Sequence, residues 1–408
     1  MRVLLVGAGG REHALAWRLA ATRGVELHAA PGNPGIATLG HCHPIGADDP
    51  EGLLDLARSL ATELVVVGPE EPLVAGVADE LRHAGIAVFG PGRAAAAIEG
   101  SKSFAKRVMR EAGVPTAATL PIARPPCVLK ADGLAAGKGV VVCRSQEELD
   151  AGLVTVSALG GPLVIEELLE GPEVSLLALC DGHRAVPLAP AQDFKRAYDG
   201  DRGPNTGGMG SYAPVPGLGR PEVEELLERV HLPVLRELAR RGTPFVGCLY
   251  AGLMLTADGP RVLEFNCRFG DPETQSLLPL HGGDLAGALA AAAAGDLAGV
   301  DLGDATEAAV TVVVAAERYP AEGDRGSEIR GIDEAEAAGG LVFHAGTALH
   351  DGRLTTSGGR IVDVVGTGPT IAAAREVAYR AAAQVSFAGA WYRRDVAEAA
   401  ATGMAVLP

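Results

Sequence analysis

The sequence predicts an α/β protein of three units: a doubly wound N-terminal domain over residues 1–100, an α+β core with a lid over 101–305, and a small mixed α/β unit over 306–408. Three observations predict it. Short apolar runs alternate with helical periodicity through the first hundred residues, which is the pattern of a parallel sheet wrapped by helices. That alternation then gives way to Gly-rich stretches and paired strands, and from about 306 a further set of strands with one long helix resumes. The length of 408 residues agrees with several domains at roughly 150 residues each.

Residues 3–6 form an uninterrupted apolar run of strand length that ends in Gly-rich sequence, and 12–21 read as a helix. Strands are expected at 25–30, 64–67 and 86–89, with helices near 52–60 and 72–84. Ligands of such sheets bind beyond the carboxyl ends of the strands. In the second unit a helix at 102–112 precedes an extended segment at 127–130 and the loop ADGLAAGKG (131–139). A strand at 164–169 stops at Gly171-Pro172, and GPNTGGMGSY (203–212) is too long and polar for a simple hairpin. Paired strands follow at 249–255 and 261–265, then an Ala-rich helix at 285–294. The third unit holds strands at 309–314, 341–345 and 360–365 and a helix at 371–383.

Acidic residues outnumber basic ones by 51 to 35, a net charge of −16, so neither a nucleic acid nor an anionic membrane is an expected partner. An anionic ligand must be held by local charge. Six cysteines lie scattered without a C-x-x-C pair, and no long apolar run or signal peptide is visible, so the expected location is the cytoplasm. Only five of the basic residues are lysine: Lys102, Lys106, Lys130, Lys138 and Lys195. In a chain that otherwise uses arginine, a surviving lysine is a candidate for a task that needs a compact ammonium, phosphate contact above all. Lys106 lies on a helix of amphipathic pattern and is expected to tolerate exchange for arginine.

Four segments could carry chemistry. GAGGREH, after the first strand, departs from the dinucleotide fingerprint: Glu12 stands where the third glycine belongs, and the second strand ends in Ala30-Pro31 without an acid. A turn aimed at another phosphate is the better reading. VLKADGLAAGKGV places Lys130 at a strand end and Lys138 in a loop able to close over a triphosphate. VIEELLEGPEVS offers a strand backbone for a purine and Glu173 for ribose hydroxyls, although taken alone it reads rather as a strand with solvated acids. EFNCRFGDPE sets Glu264, Asn266 and Arg268 on one strand face, with Phe265, Cys267 and Phe269 on the other. A carboxylate and an amide oxygen are hard donors suited to Mg²⁺, and the arginine beside them can neutralise phosphoryl oxygens.

These segments, together with VGPEEPLVAGVAD, EGSKSF, QDFKR, GPNTGGMGSY and the HAGT and TSGGR pair, occur in an order that resembles the phosphoribosylamine–glycine ligase family of the ATP-grasp superfamily. The resemblance implies an ATP-grasp core with a lid at about 115–187. It also implies ligation of glycine to 5-phosphoribosylamine with ATP as co-substrate and Mg²⁺ or Mn²⁺ as cofactor. By that analogy Lys102 and Lys130 contact the ATP phosphates, the loop bearing Lys138 covers them, the Glu166–Leu168 backbone meets the adenine, and Glu173 meets the ribose. Glu264 and Asn266 hold the metal, and Arg268 and Lys195 act at the transferred phosphate. Gly9, Gly10, Arg11, Glu12, Asn33 and Glu70 face phosphoribosylamine, while Asp193 and Asp271 lie near glycine and the transferred phosphate. Against the family's pattern, the strand YAGLML lacks a second acid, which argues against a second protein-bound metal, and the lid segments are short. A monomer is the expected state.

Overall fold

The computed structural model describes residues 1–134 and 139–404. Its N-terminal unit is a parallel sheet ordered in space His41–Cys42, Glu26–Pro31, Arg2–Gly7, Leu64–Val67, Val88–Phe89. The chain begins in the middle of the sheet and winds outward in both directions, so a crevice opens beyond the carboxyl ends of Arg2–Gly7 and Leu64–Val67. Both strands are covered on both faces, hence their unbroken Val/Leu runs. The single helix expected near 72–84 is two helices, Glu70–Ala75 and Val77–His83. Gly76 separates them at φ +97°, a left-handed conformation that glycine adopts without penalty.

The core is an antiparallel sheet of Ala185–Pro187, Glu173–Asp181, Val246–Thr256 and Gly259–Asn266. Its last strand pair slips at Gly252–Leu253, where Gly252 faces Glu264 and Leu253 faces Val262. This bulge lies beside Glu264, a common place for one to re-aim a functional side chain. The lid is smaller than expected. Val140–Cys143, Cys127–Ala131 and Leu163–Glu167 form its sheet, backed by helix Gln146–Ser157 over a small core that includes Leu129 and Leu149. The segment Glu173–Asp181, expected within the lid, pairs along its whole length with Val246–Thr256 and belongs to the core. An apolar strand of this kind names no partner by itself, which is why its sequence misplaces it.

The C-terminal unit is not separate either. Its antiparallel sheet runs Gln192–Asp193, Gly210–Ala213, Ala308–Ala315, Arg360–Gly368, Leu341–His344, with helix Ile371–Ala382 packed on it. The first two strands come from sequence expected to belong to the core, so a single ladder ties the two units together. Among the described residues no helix is long and apolar enough to cross a membrane.

Three units meet at the start of helix Gly10–Ala20. Asn33 donates from Nδ2 to the carbonyls of Ala8 and His344, both at 2.8 Å, and accepts from the Ile36 N–H at 2.9 Å. Asp363 of the C-terminal sheet and Gln275 of helix Glu273–Leu277 press against Gly10 so closely that a Cβ there would lie 1.9 Å from Asp363 Oδ2 and 2.9 Å from Gln275 Nε2. We therefore expect Gly10→Ala to destabilise the protein by about 1–3 kcal/mol, the usual cost of overpacking, seen as a lower urea midpoint. Gly282→Ala, which would meet no atom within 4 Å, is the control. Equal midpoints for the two variants would contradict the close junction.

Candidate active site

A cleft of about 2300 Å³ opens between the lid, the core sheet and both terminal units. Ordinary ligand pockets measure about 300–1,000 Å³, so this one has room for more than one substrate. Its wall includes Lys102, Lys130, Glu166, Leu168, Glu173, Asp193, Lys195, Glu264, Asn266, Arg268, Arg11, Glu70 and Asp271, bringing together thirteen of the expected site residues.

On the lid side the organising group is Glu166. Its buried carboxylate receives Lys130 Nζ at 2.8 Å on one oxygen and Lys106 Nζ at 2.7 Å on the other. Lys130 also donates to the Leu263 carbonyl at 2.8 Å, and Lys106 to Thr116 Oγ1 at 2.9 Å and the Ala117 carbonyl at 2.6 Å. Lys106 is therefore not a tolerant surface residue. The apolar face of helix Lys102–Ala112 is Ala105, Val108 and Met109, and Lys102 and Lys106, one turn apart, flank it toward the cleft. Lys102 donates to the Gly133 carbonyl at 2.9 Å, and burial lowers its pKa although Glu264 acts in the opposite sense. Lys138 lies outside the described residues. The Glu167 N–H is already bonded to the Ala118 carbonyl at 3.0 Å, so Leu168, just past the strand end, offers the nearer backbone to a base. Val128, Met254 and Leu263 supply apolar wall.

At the cleft floor Glu264 and Asn266 stand on the outward side of their strand, while Phe265 and Cys267 enter the core. Among the described residues neither outward side chain has a hydrogen-bond or ion-pair partner, and no three His, Cys, Asp or Glu side chains converge as a metal cluster. Two hard oxygen donors that leave the other positions to phosphate oxygens and water fit a Mg²⁺-type ion. Beside them Lys195 bonds Glu173 at 2.8 Å, so the acid expected at the ribose is engaged by a lysine. Burial pushes the Asp193 carboxyl up to about 7; Lys195 pulls it down, while Glu273, Glu173 and Glu264 add to the rise. Burial would lower the pKa of Lys195, but Asp193 and Glu173 outweigh it and hold the ammonium charged.

The N-terminal wall is a row of alternating charges. Arg11 Nε meets Glu12 Oε1 at 2.6 Å, Arg11 and Arg268 share Glu70 Oε2 at 3.8 and 3.1 Å, and Arg268 Nη2 meets Glu99 Oε1 at 3.3 Å. Burial opposes the charge on Arg268, yet Glu99 and Glu70 raise its pKa well above the ordinary value. Asp271 is joined at 2.5 Å to Arg360, a cleft residue from the C-terminal unit that closes the TSGGR segment but had no expected role. Glu99 too had no expected role, although EGSKSF contains it, and Lys106 was expected only to tolerate exchange.

Gly9, Gly10, Glu12 and Asn33 do not line the cleft. The Gly9 N–H donates to Glu12 Oε2 at 2.6 Å, Gly10 abuts Asp363, and Asn33 is fully engaged at the domain junction. A helix N-terminus favours an anion, and here the Glu12 carboxylate takes the Gly9 N–H that the sequence offers to an external phosphate.

Comparison with known proteins agrees with this architecture. Residues 1–99, 100–274 and 309–399 match the N domain, the ATP-grasp (A) domain and the C domain of phosphoribosylglycinamide synthetase. A phosphoribosylamine–glycine ligase of Corynebacterium ammoniagenes is 49% identical over 424 residues, covering 99% of each chain. One of Streptomyces coelicolor is 50% identical over 418 residues, covering 98% of this chain and 100% of that one. The crystal structure of the Thermotoga maritima phosphoribosylamine–glycine ligase superposes with a TM-score of 0.83 at 37% identity, covering 97% of this chain and 100% of that chain. The biotin carboxylase domain of Hydrogenobacter thermophilus 2-oxoglutarate carboxylase, 19% identical with a TM-score of 0.70, shares the fold alone. With all three domains matched in order around one cleft, the chain belongs to the phosphoribosylglycinamide synthetase family.

Proposed function

We propose that the protein joins glycine to 5-phosphoribosylamine with cleavage of ATP to ADP and phosphate. The observation that carries this reading is the one cleft lined by anchored lysines, open oxygen donors and an arginine–carboxylate wall. A glycine carboxylate oxygen attacks the γ-phosphorus of ATP; the bond to the bridging oxygen breaks, and ADP leaves. The amine nitrogen of phosphoribosylamine then attacks the carbonyl carbon of the glycyl phosphate. Its C–O bond to phosphate breaks, and the amine proton passes to the departing phosphate. The carboxylate nucleophile is already ionised, so positioning and charge neutralisation account for most of the catalysis.

Lys130 and Lys102 hold the ATP phosphates, with Lys130 fixed in place by Glu166. Leu168 and the apolar wall take the adenine. Glu264 and Asn266 would hold a divalent cation such as Mg²⁺, which when bound neutralises phosphate oxygens. Arg268 and Lys195 face the transferred phosphate, and Asp193 and Asp271 flank the glycine. Arg11 and Glu70 face phosphoribosylamine. The deciding experiment is phosphate release from ATP with glycine, with and without freshly made phosphoribosylamine. Release that ignores the amine would refute the reading.

Two variants probe the roles. Glu264→Gln removes the charge of one of two proposed protein ligands, and kcat at saturating Mg²⁺ should fall ~10²-fold or more. An unchanged kcat would remove Glu264 from the metal site. Lys130→Arg and Lys106→Arg should each lower kcat/KM for ATP by roughly 10-fold, because a planar guanidinium cannot reproduce a compact ammonium seated on Glu166. Wild-type values for Lys106→Arg would return that residue to the tolerant surface role its helix pattern suggests.

A further inference from the structure

We propose that Glu99 is the positioning residue that fixes Arg268 at the phosphoryl-transfer end of the cleft, an assignment that rests on the proposed ligase reading for its kinetic consequences. Arg268 has two carboxylate partners, and they are not equivalent. Glu70 is the more open one, and its Oε2 is shared between Arg268 at 3.1 Å and Arg11 at 3.8 Å. Glu99 is shielded from water and makes two contacts at once. Its Oε1 meets Arg268 Nη2 at 3.3 Å, and its Oε2 accepts the Cys267 N–H at 2.7 Å.

That second bond matters because Cys267 joins Asn266 to Arg268. Glu99 therefore grips both the backbone between two cleft residues and the guanidinium of one of them. It does so from the end of helix Arg93–Gly100, which is packed on the core strand Gly259–Asn266 and belongs to the N-terminal unit. A fixed anchor also frees Glu70. If Glu70 turned to a substrate hydroxyl, Arg268 would keep one charged partner, so its aim would survive substrate binding. Without Glu99 the guanidinium would keep, once Glu70 turned away, only the uncharged Phe269 carbonyl, which accepts from its Nη1 at 3.1 Å. Near-attack geometry tolerates little motion: a displacement of about 1 Å can cost roughly 10²-fold in rate.

Glu99→Gln is a sparing substitution. The amide oxygen can still accept the Cys267 N–H, while the amide nitrogen now faces the guanidinium with a donor and the charge is lost. We expect kcat for ligation to fall roughly 10- to 100-fold with KM for ATP little changed, the signature of a misaimed group rather than a lost binding contact. In an Arg268→Ala background the same substitution should change kcat by less than about twofold, because a residue acting through Arg268 has nothing left to act on. Full activity of Glu99→Gln, or multiplicative losses in the double variant, would overturn the proposal. A measurement without turnover separates this claim from the reaction itself. In ¹⁵N relaxation, Arg268 Nε should be as rigid as the backbone in the wild type and mobile in Glu99→Gln. Equal rigidity in both proteins would overturn the anchor even if ligation is confirmed. Absence of ligation in the wild type would refute the proposed reaction and leave this relaxation result to decide the anchor.

Discussion

The period-2 alternation of one strand end governs the site. From Glu264 to Phe269 the directions alternate: Phe265, Cys267 and Phe269 are buried in the cores, and Glu264, Asn266 and Arg268 are thereby turned to the cleft. A slip of one residue would exchange the two sets, putting a carboxylate, an amide and a guanidinium into the core. The bulge opposite Gly252 shifts the ladder beside Glu264, so register and chemistry are set by the same few hydrogen bonds.

Charge is the second constraint. A protein of net charge −16 that handles phosphate-bearing substrates must create its own positive potential locally. It does so by tethering each cation rather than by accumulating them. Lys130 and Lys106 are held on Glu166, Lys195 on Glu173, Arg268 on Glu70 and Glu99, and Arg360 on Asp271. Removing two charges from water is repaid only when geometry and remaining hydrogen bonds are good, and the backbone carbonyls on Lys130 and Lys106 meet that need. Such cations are aimed as well as charged. At the first Gly-rich turn it is Glu12 that accepts the Gly9 N–H, while Asp363 packs against Gly10.

The C-terminal unit is part of the machine. Gln192–Asp193 and Gly210–Ala213 are the first strands of its sheet, so the segment bearing Asp193 and Lys195 is positioned by a ladder that reaches Arg360–Gly368. Arg360 enters the cleft from that sheet, and Asn33 and Gly10 lock it to the N-terminal unit. Motion of any one unit would disturb groups carried by the other two.

The sequence by itself determined what depends on near neighbours. Apolar runs and periodicity placed the strand Leu64–Val67 and the helix Lys102–Ala112 with correct ends, and the alternation in EFNCRFGDPE put Glu264, Asn266 and Arg268 on one face. These are effects of covalent geometry over a few residues. Only the tertiary structure decided which groups meet across long separations. Lys106 seemed a surface residue because a helix pattern records only that helix, whereas its ammonium bonds a carboxylate sixty residues away, at Glu166. Glu173–Asp181 is as apolar as a lid strand or a core strand must be, so only pairing with Val246–Thr256 assigns it. Glu99 and Arg360 lie in the segments EGSKSF and TSGGR, yet no role can be read locally for them or for Asp363, since a buried charge is explained by its partner. The turn at Gly9–Gly10 has the local form of an anion site, and only the tertiary structure shows Glu12 accepting its Gly9 N–H and Asp363, from the far end of the chain, packed against Gly10.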